Sequence, residues 1–206
     1  MITVFLPCRK GSQRVKNKNV RRFANQNGGL VKIKLAQLLQ VTEIQQIVLS
    51  TDDELVKNIG RNFASKKIII DDRPADLASS TTSTDDLIKY VPTIIAKGDI
   101  LWTHVTSPFI NENDYEAIIK QYYTSLEKGY DSLMTVTPLH KFLWNEDNAI
   151  NYDRAIEKWP RTQTLTPVYE VNSAVFLANA TIYRKEADRI GKHPFLYATD
   201  EQKSYD

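Results

Sequence analysis

A single cysteine, Cys8, is all that the 206 residues contain. No intramolecular disulfide is possible, and the chain fits a reducing compartment. No apolar run approaches the roughly 20 residues that a membrane span requires. The apolar start MITVFLPC is short and lacks a basic leading region, which argues against a secretory signal. A soluble cytoplasmic protein with no membrane partner is therefore expected. Excess charge is also missing: 27 Lys and Arg face 25 Asp and Glu, a net of +2, so the global balance does not call for nucleic acid. With seven glycines, the chain has neither G-x-x-x-x-G-K-[ST] nor G-x-G-x-x-G. Two common phosphate-binding loops are thereby excluded. Internal repeats and low-complexity tracts are absent too.

What is present is a folding composition, 42% hydrophobic and 25% charged, in one domain of ordinary size. Apolar runs rich in β-formers predict strands over 2–7, 46–50, 67–71, 99–105, 131–137, 171–177 and 195–198. Between them, helical spacing predicts helices over 31–41, 53–64, 84–96, 113–128 and 179–190. Ser83 or Thr84 can cap the third of these. The alternation predicts an α/β fold: a Rossmann-like, mostly parallel sheet with helices on both faces. Residues 138–170 break the pattern with three prolines and two of the three tryptophans, Trp144 and Trp159. They read as an insertion with its own short strands. Parallel sheets bind ligands at the carboxyl ends of their strands, so the loops 8–19, 51–53, 72–84 and 105–111 carry the functional weight.

The first of these loops is distinctive. Residues 9–22 read RKGSQRVKNKNVRR, with seven basic residues in 14 and no acid. Gly11 permits a tight turn whose backbone N–H groups can cradle an anion. Lys and Arg add charge-assisted hydrogen bonds to phosphate oxygens. Three readings stand: a solvated charge run, a nucleic-acid patch, or a triphosphate cradle. No aromatic residue interleaves the charges before Phe23, so a base-stacking platform is missing.

The stretch L-P-C-R-K-G-S-Q-R-V-K-N-K-N, residues 6–19, resembles the opening of the acylneuraminate cytidylyltransferase family. Further matches follow in order: S-T-D-D (50–53), R-P-A-D-L-A-S-S-T-T-S-T (73–84), T-S-P (106–108), W-P-R-T-Q (159–163) and V-N-S-A-V-F (171–176). The resemblance spans nearly the whole chain. It implies a fold of the nucleotide-diphospho-sugar transferase type in a single domain, 1–206, with 138–170 as a dimerisation arm on the sugar side. It also implies transfer of CMP from CTP to a nine-carbon sialic-type sugar acid, with release of pyrophosphate, Mg²⁺ as cofactor and a homodimer.

The resemblance implies the following roles. Arg9 and Lys18 would meet the triphosphate and carry the catalysis, with Pro7, Gly11, Ser12 and Asn19 in the nucleotide loop. Arg73, Thr82 and Thr84 would hold the cytidine, Arg73 through cytosine or an adjacent backbone carbonyl. His104, Ser107, Lys141, Arg161, Gln163 and Asn172 would contact the sugar acid, Arg161 being the choice for its carboxylate. The final Ser204-Tyr205-Asp206 matches the start of the family's Asp-x-Asp metal motif. Asp206 is thus the metal ligand, in a sequence expected to be truncated there. Glu170 stands where sialate enzymes of the family often carry Arg, which brings legionaminate and pseudaminate in beside sialate. The alternatives are a nucleotidyltransferase for 3-deoxy-octulosonate or a sugar phosphate, and a non-catalytic nucleotide or nucleic-acid binder.

Overall fold

The computed structural model describes residues 1–11 and 15–205, so Ser12 and Asp206 lie outside the described residues. The chain runs β1 (Ile2–Pro7), α1 (Gly29–Gln40), β2 (Ile44–Thr51), α2 (Glu54–Asn62), β3 (Ile68–Asp72) and α3 (Thr84–Ile94). It continues through β4 (Asp99–Thr103), α4 (Glu112–Glu127), β5 (Ser132–Leu139), β6 (Val168–Asn179), α5 (Ala180–Glu186) and β7 (Pro194–Ala198). Seven strands form one sheet in the order β3-β2-β1-β4-β6-β5-β7. Every pairing is parallel except those of β6, which runs antiparallel to β4 and β5.

Apolar burial on two faces explains the near-continuous apolar strands. One core joins Val4, Leu6, Leu49 and Leu101 to Leu35 and Leu38 of α1, Val56 of α2 and Ile118 of α4. The other joins Phe5, Val48, Trp102 and Phe176 to Ile88 and Val91 of α3 and Tyr183 of α5. Helices therefore cover both faces, as the alternation of elements predicts. Caps set the helix starts: the Ser83 side chain accepts from the Asp86 N–H, and Asn111 forms a reciprocal capping box with Asp114. With Ser83 as the cap, Thr84 becomes the first helical residue.

Two expectations change. The helix expected to reach residue 190 ends at Glu186, because Ala187 turns left-handed (φ 51°). In 138–170, β5 and β6 extend inward to Leu139 and Val168. Among the described residues between them the expected short strands are reduced to the isolated bridge of Trp144 with Ala149, beside a 3-10 turn at Thr162–Thr164. Lys34 of α1, which the sequence reading did not single out, is fully buried. Its Nζ donates to the carbonyls of Ser107 (2.8 Å) and Ile110 (2.9 Å) and lies 4.9 Å from the centroid of the Tyr115 ring. Lys34 thus fixes the loop that leaves β4.

Burial lowers the pKa of Lys34 to about 7 from its ordinary 10.5. Between those values the unfolded chain binds more protons than the folded one, so stability rises with pH across that window. Replacing Lys34 with Met should flatten the slope of unfolding free energy against pH between 7 and 10 by up to about 1.4 kcal/mol per unit. Urea unfolding of both proteins at several pH values measures it, and parallel curves would contradict the assignment.

Candidate functional site

The carboxyl ends of the strands are laced to one another before any ligand arrives. Cys8 N–H donates to Ser50 O (2.9 Å), and the Thr51 hydroxyl donates to Cys8 O (2.5 Å). Arg73 N–H donates to Thr51 O (3.1 Å), and Lys10 N–H donates to Asp52 Oδ1 (2.7 Å). The basic loop folds back through Asn19, whose side-chain amide donates to Arg9 O (3.1 Å). Gly11 is left-handed (φ 79°) in open space, as a turn glycine should be. The Cys8 thiol is buried, and that burial raises its pKa to about 12, so it supplies no thiolate.

Over these laced ends opens a cleft of about 320 Å³, lined by Pro7, Arg9, Arg73, Thr84, Leu87, Trp102, His104, Ser173 and Arg189. Five of the residues picked from the sequence meet here: Pro7, Arg9, Arg73, Thr84 and His104. Each comes from the end of a strand or the start of a helix that the sheet order brings together. Arg73 is buried, its Nε donating to the Ser50 hydroxyl (3.0 Å) and Nη2 to the Ser50 carbonyl (2.7 Å). The Ser50 carbonyl is thus a backbone partner of the kind expected for it. Burial lowers its pKa, although an arginine stays charged throughout the physiological range.

His104 is the cleft's neutral member. Its Nε2 accepts from the Trp102 indole N–H at 3.0 Å. Indole is a donor only, so the imidazole proton must sit on Nδ1, leaving Nδ1–H as the group that can donate. Burial, then the charges of Arg189, Lys18 and Arg73, lower the pKa of His104 to about 4. It is neither an acid near neutrality nor a free base, since its basic nitrogen is occupied.

A second groove of about 540 Å³ lies beside the first, on the side of the sheet covered by α1 and α4. Lys18, Arg21, Arg22, Phe23, Thr106 and Phe109 are among its walls. Lys18 lines this groove rather than the cleft, but its charge reaches His104.

The remaining candidates lie elsewhere. Ser107 is buried, and its carbonyl accepts from Lys34. The Thr82 hydroxyl donates to Asp76 O (3.0 Å) within its own loop. Asn172 is engaged on both sides: its amide donates to the hydroxyls of Thr137 (3.2 Å) and Thr199 (2.7 Å), and its Oδ1 accepts from Ala174 N–H. Lys141, Arg161 and Gln163 are exposed on the arm and line neither cavity.

Among the described residues no three acidic, imidazole or thiol groups converge to hold a metal. Asp52 accepts from Lys10, Asp72 pairs with Lys57, and Asp71 accepts from Tyr90. Each of these carboxylates thus has one oxygen engaged, while Asp71 Oδ2 is buried without a partner among the described residues.

Sequence reasoning missed Arg189, Trp102, Leu87 and Ser173. The signal available for Ser173 was its place beside Asn172 at the start of an apolar strand; for Arg189 the expected helix hid it.

The chain matches the family model described as Cytidylyltransferase over residues 3–206. A pseudaminic acid cytidylyltransferase of Campylobacter jejuni is 25% identical over 194 residues, covering 88% of this chain and 79% of that protein. An N-acylneuraminate cytidylyltransferase of Streptococcus agalactiae is 23% identical, covering 98% of this chain and 49% of that longer protein. Among solved structures, a CMP:2-keto-3-deoxy-manno-octonic acid synthetase complexed with CTP superposes with a TM-score of 0.65 at 15% identity, over 96% of this chain and 90% of that one. A 4-diphosphocytidyl-2C-methyl-D-erythritol synthase gives 0.64 at 11% identity, over 98% and 90%. At such identities these two likenesses speak for the fold.

His104 should appear by nitrogen-edited NMR as the Nδ1–H tautomer and titrate near pH 4, whereas replacing Trp102 with Phe should free Nε2 and change that tautomer balance. A titration midpoint near the ordinary 6.5 would contradict the geometry.

Proposed function

The chain belongs to the cytidylyltransferase family, and from that membership we propose that it transfers CMP from CTP to a nine-carbon sugar acid of the sialic or pseudaminic kind. The observation that carries the reading is the cleft. It gathers Arg9, Arg73, Arg189, His104, Thr84 and Ser173, which present N–H and O–H donors to one space. A ligand made of phosphate, carboxylate and hydroxyl oxygens suits that lining. The names of the relatives, pseudaminic acid and N-acylneuraminate cytidylyltransferase, point to the same class of acceptor.

In the proposed step the anomeric hydroxyl oxygen of the sugar acid bonds to the α-phosphorus of CTP. The bond from that phosphorus to the oxygen bridging the β-phosphate breaks, pyrophosphate leaves, and the hydroxyl proton passes to solvent. Arg9 and Lys18 neutralise the charge that grows on the phosphoryl oxygens and the leaving group, with Gly11, Ser12 and Asn19 shaping their loop. Arg73, held by Ser50, Thr84 and the loop around Thr82 take the nucleoside. Mg²⁺ is the proposed cofactor. Among the described residues no three ligating groups converge, and Asp206 with the nucleotide's own phosphate oxygens would be the donor set for this hard cation.

The arm over 138–170 is proposed as the face that pairs two copies. Its rings pack on one another: Phe142 lies 5.2 Å from Tyr152 and 5.6 Å from Trp159, and Arg154 covers Trp144. Trp159 nevertheless stays 65% exposed and Ile156 85% exposed, apolar surface that a second copy can cover. Exposure leaves Lys141, Arg161 and Gln163 free to reach a neighbour's sugar site.

Pyrophosphate release, assayed with each nucleoside triphosphate against sialate, legionaminate, pseudaminate and 3-deoxy-octulosonate, tests the function. Activity should need CTP and one of the acids and should vanish on chelation of divalent metal; silence with every acid would sink the reading. Replacing Lys18 with Ala should lower turnover about a hundredfold or more with the fold intact, and unchanged turnover would remove Lys18 from its role. Sedimentation should give a dimer that exchange of Trp159 for Glu weakens.

A further inference from the structure

Arg189 carries no role in the reading above except as part of the cleft's lining. It sits in the connection between α5 and β7, where the left-handed turn at Ala187 brings the chain back across the sheet. Its guanidinium carbon lies 3.6 Å from the centroid of the Phe176 ring and 5.1 Å from that of Trp102. Two rings therefore support the flat side of the guanidinium and restrict its rotation. The N–H donors lie along its edges, in the plane of the fork. Among the described residues no acceptor takes any of them, and no carboxylate lies within 4 Å. Burial lowers the pKa of Arg189, as it does for Arg73, but Arg73 has two bonds to Ser50 in return and Arg189 has none.

We propose that Arg189 binds the carboxylate of the acceptor sugar acid, edge-on and through two parallel hydrogen bonds. The inference rests on the sugar-acid reading above. A guanidinium locked by its face presents the fork that matches the two oxygens of a carboxylate.

Position separates this group from those that hold the nucleotide. Arg73 lies over Ser50 of β2, Arg9 follows β1, and Arg189 lies over Trp102 of β4 and Phe176 of β6. From β2 to β6 is three strand spacings, roughly 14 Å. The nucleotide occupies the β1–β3 half on the proposed reading, so the β4–β6 half is what remains for the acceptor. In that half Arg189 is joined by His104, with its Nδ1–H free to donate, and by the hydroxyl-bearing Ser173. Ser173 is held left-handed (φ 58°), a conformation that costs a non-glycine residue about 1 kcal/mol or more. One cation and two neutral groups suit a molecule with one carboxylate and several hydroxyls.

The test measures binding, so it does not depend on turnover. Each of the four sugar acids is titrated calorimetrically into the protein loaded with α,β-methylene CTP, in the wild type, R189M, R189K and K66A. Methionine keeps an apolar stem over Phe176 and Trp102, and the thermal midpoint checks that the fold survives. R189M should bind the acid about tenfold to a hundredfold more weakly. R189K should fall between, since it keeps the charge and loses the fork. K66A should stay within about twofold of wild type, as expected for an exposed residue with no part in the site.

The methyl ester of the same sugar should bind wild type and R189M alike, because it no longer carries the charge. The affinity for the CTP analogue should be unchanged in R189M. Equal binding of the acid by wild type and R189M overturns the assignment. So does an equal loss for acid and ester, or a loss of CTP affinity of the same size. A wild-type chain that binds the CTP analogue and none of the acids overturns the sugar-acid reading and this assignment together.

Discussion

Positive charge is concentrated at one edge of the sheet without a carboxylate in direct ion pair with it, and the site's chemistry follows from that. Arg9, Arg73 and Arg189 share a cleft, Lys18 stands close by, and none of the four makes an ion pair within 4 Å among the described residues. Cations held together in this way repel one another and strengthen the attraction for an anion. They also add to what burial does to His104. A buried histidine with positive charge around it cannot keep a second proton near neutrality, so it remains an uncharged donor. Beside the apolar Pro7, Leu87 and Trp102, the polar lining is mostly donors, and the ligand must bring the acceptors. A triphosphate and a hydroxylated acid answer that demand; an apolar ligand or a cation does not.

Such a lining needs a rigid frame, because self-repelling groups would otherwise relax outward. Three ties supply it. Ser50 accepts the buried Arg73 fork and the Cys8 N–H, which joins the ends of β1, β2 and β3 through one residue. Asn19 and the Lys10–Asp52 contact fold the basic loop onto the same ends. On the opposite side of the sheet, Lys34 spends its donors on the carbonyls of the loop after β4. Pre-set donors do not have to reorganise when charge shifts in a displacement at phosphorus.

How much of this was legible in the sequence depended on how local the cause was. β1, β2 and β4 are apolar runs buried on both faces, and pattern alone finds such strands. Arg9, Arg73 and Thr84 stand just beyond strands or at a capped helix start, where a parallel sheet puts its ligands, so position pointed to them. The reversal of β6 was not legible, since an apolar strand reads the same in either direction. Lys34 was hidden because a pattern counts a lysine as solvent-facing, whereas here two carbonyls take it in. Arg189 was hidden by a helix end without glycine: Ala187 takes the left-handed turn that Gly usually marks. Asn172 lies in a matched stretch, but its amide is used between β5, β6 and the residues after β7, which only the tertiary fold reveals.

The same reasoning bears on Glu170. In register it pairs with Thr137 across β5 and β6, and it lies exposed on the arm, outside the cleft. Its negative charge is therefore screened from the cleft by water, and an acid at this position is compatible with an anionic acceptor. If the acceptor's carboxylate is held by a cation, that cation must come from another element. Arg189 meets the requirement from the far side of the sheet. It reaches the cleft over Phe176, six residues along the strand that carries Glu170, so the two charges share a strand but not a site. A cation seated on aromatic rings is also more restrained than one on an exposed arm, and less ordering entropy is lost when the acid binds. On the proposed reading the acceptor half of the cleft is formed within one chain, and the part proposed for the exposed arm is to shape the rest of the sugar pocket from a neighbouring copy.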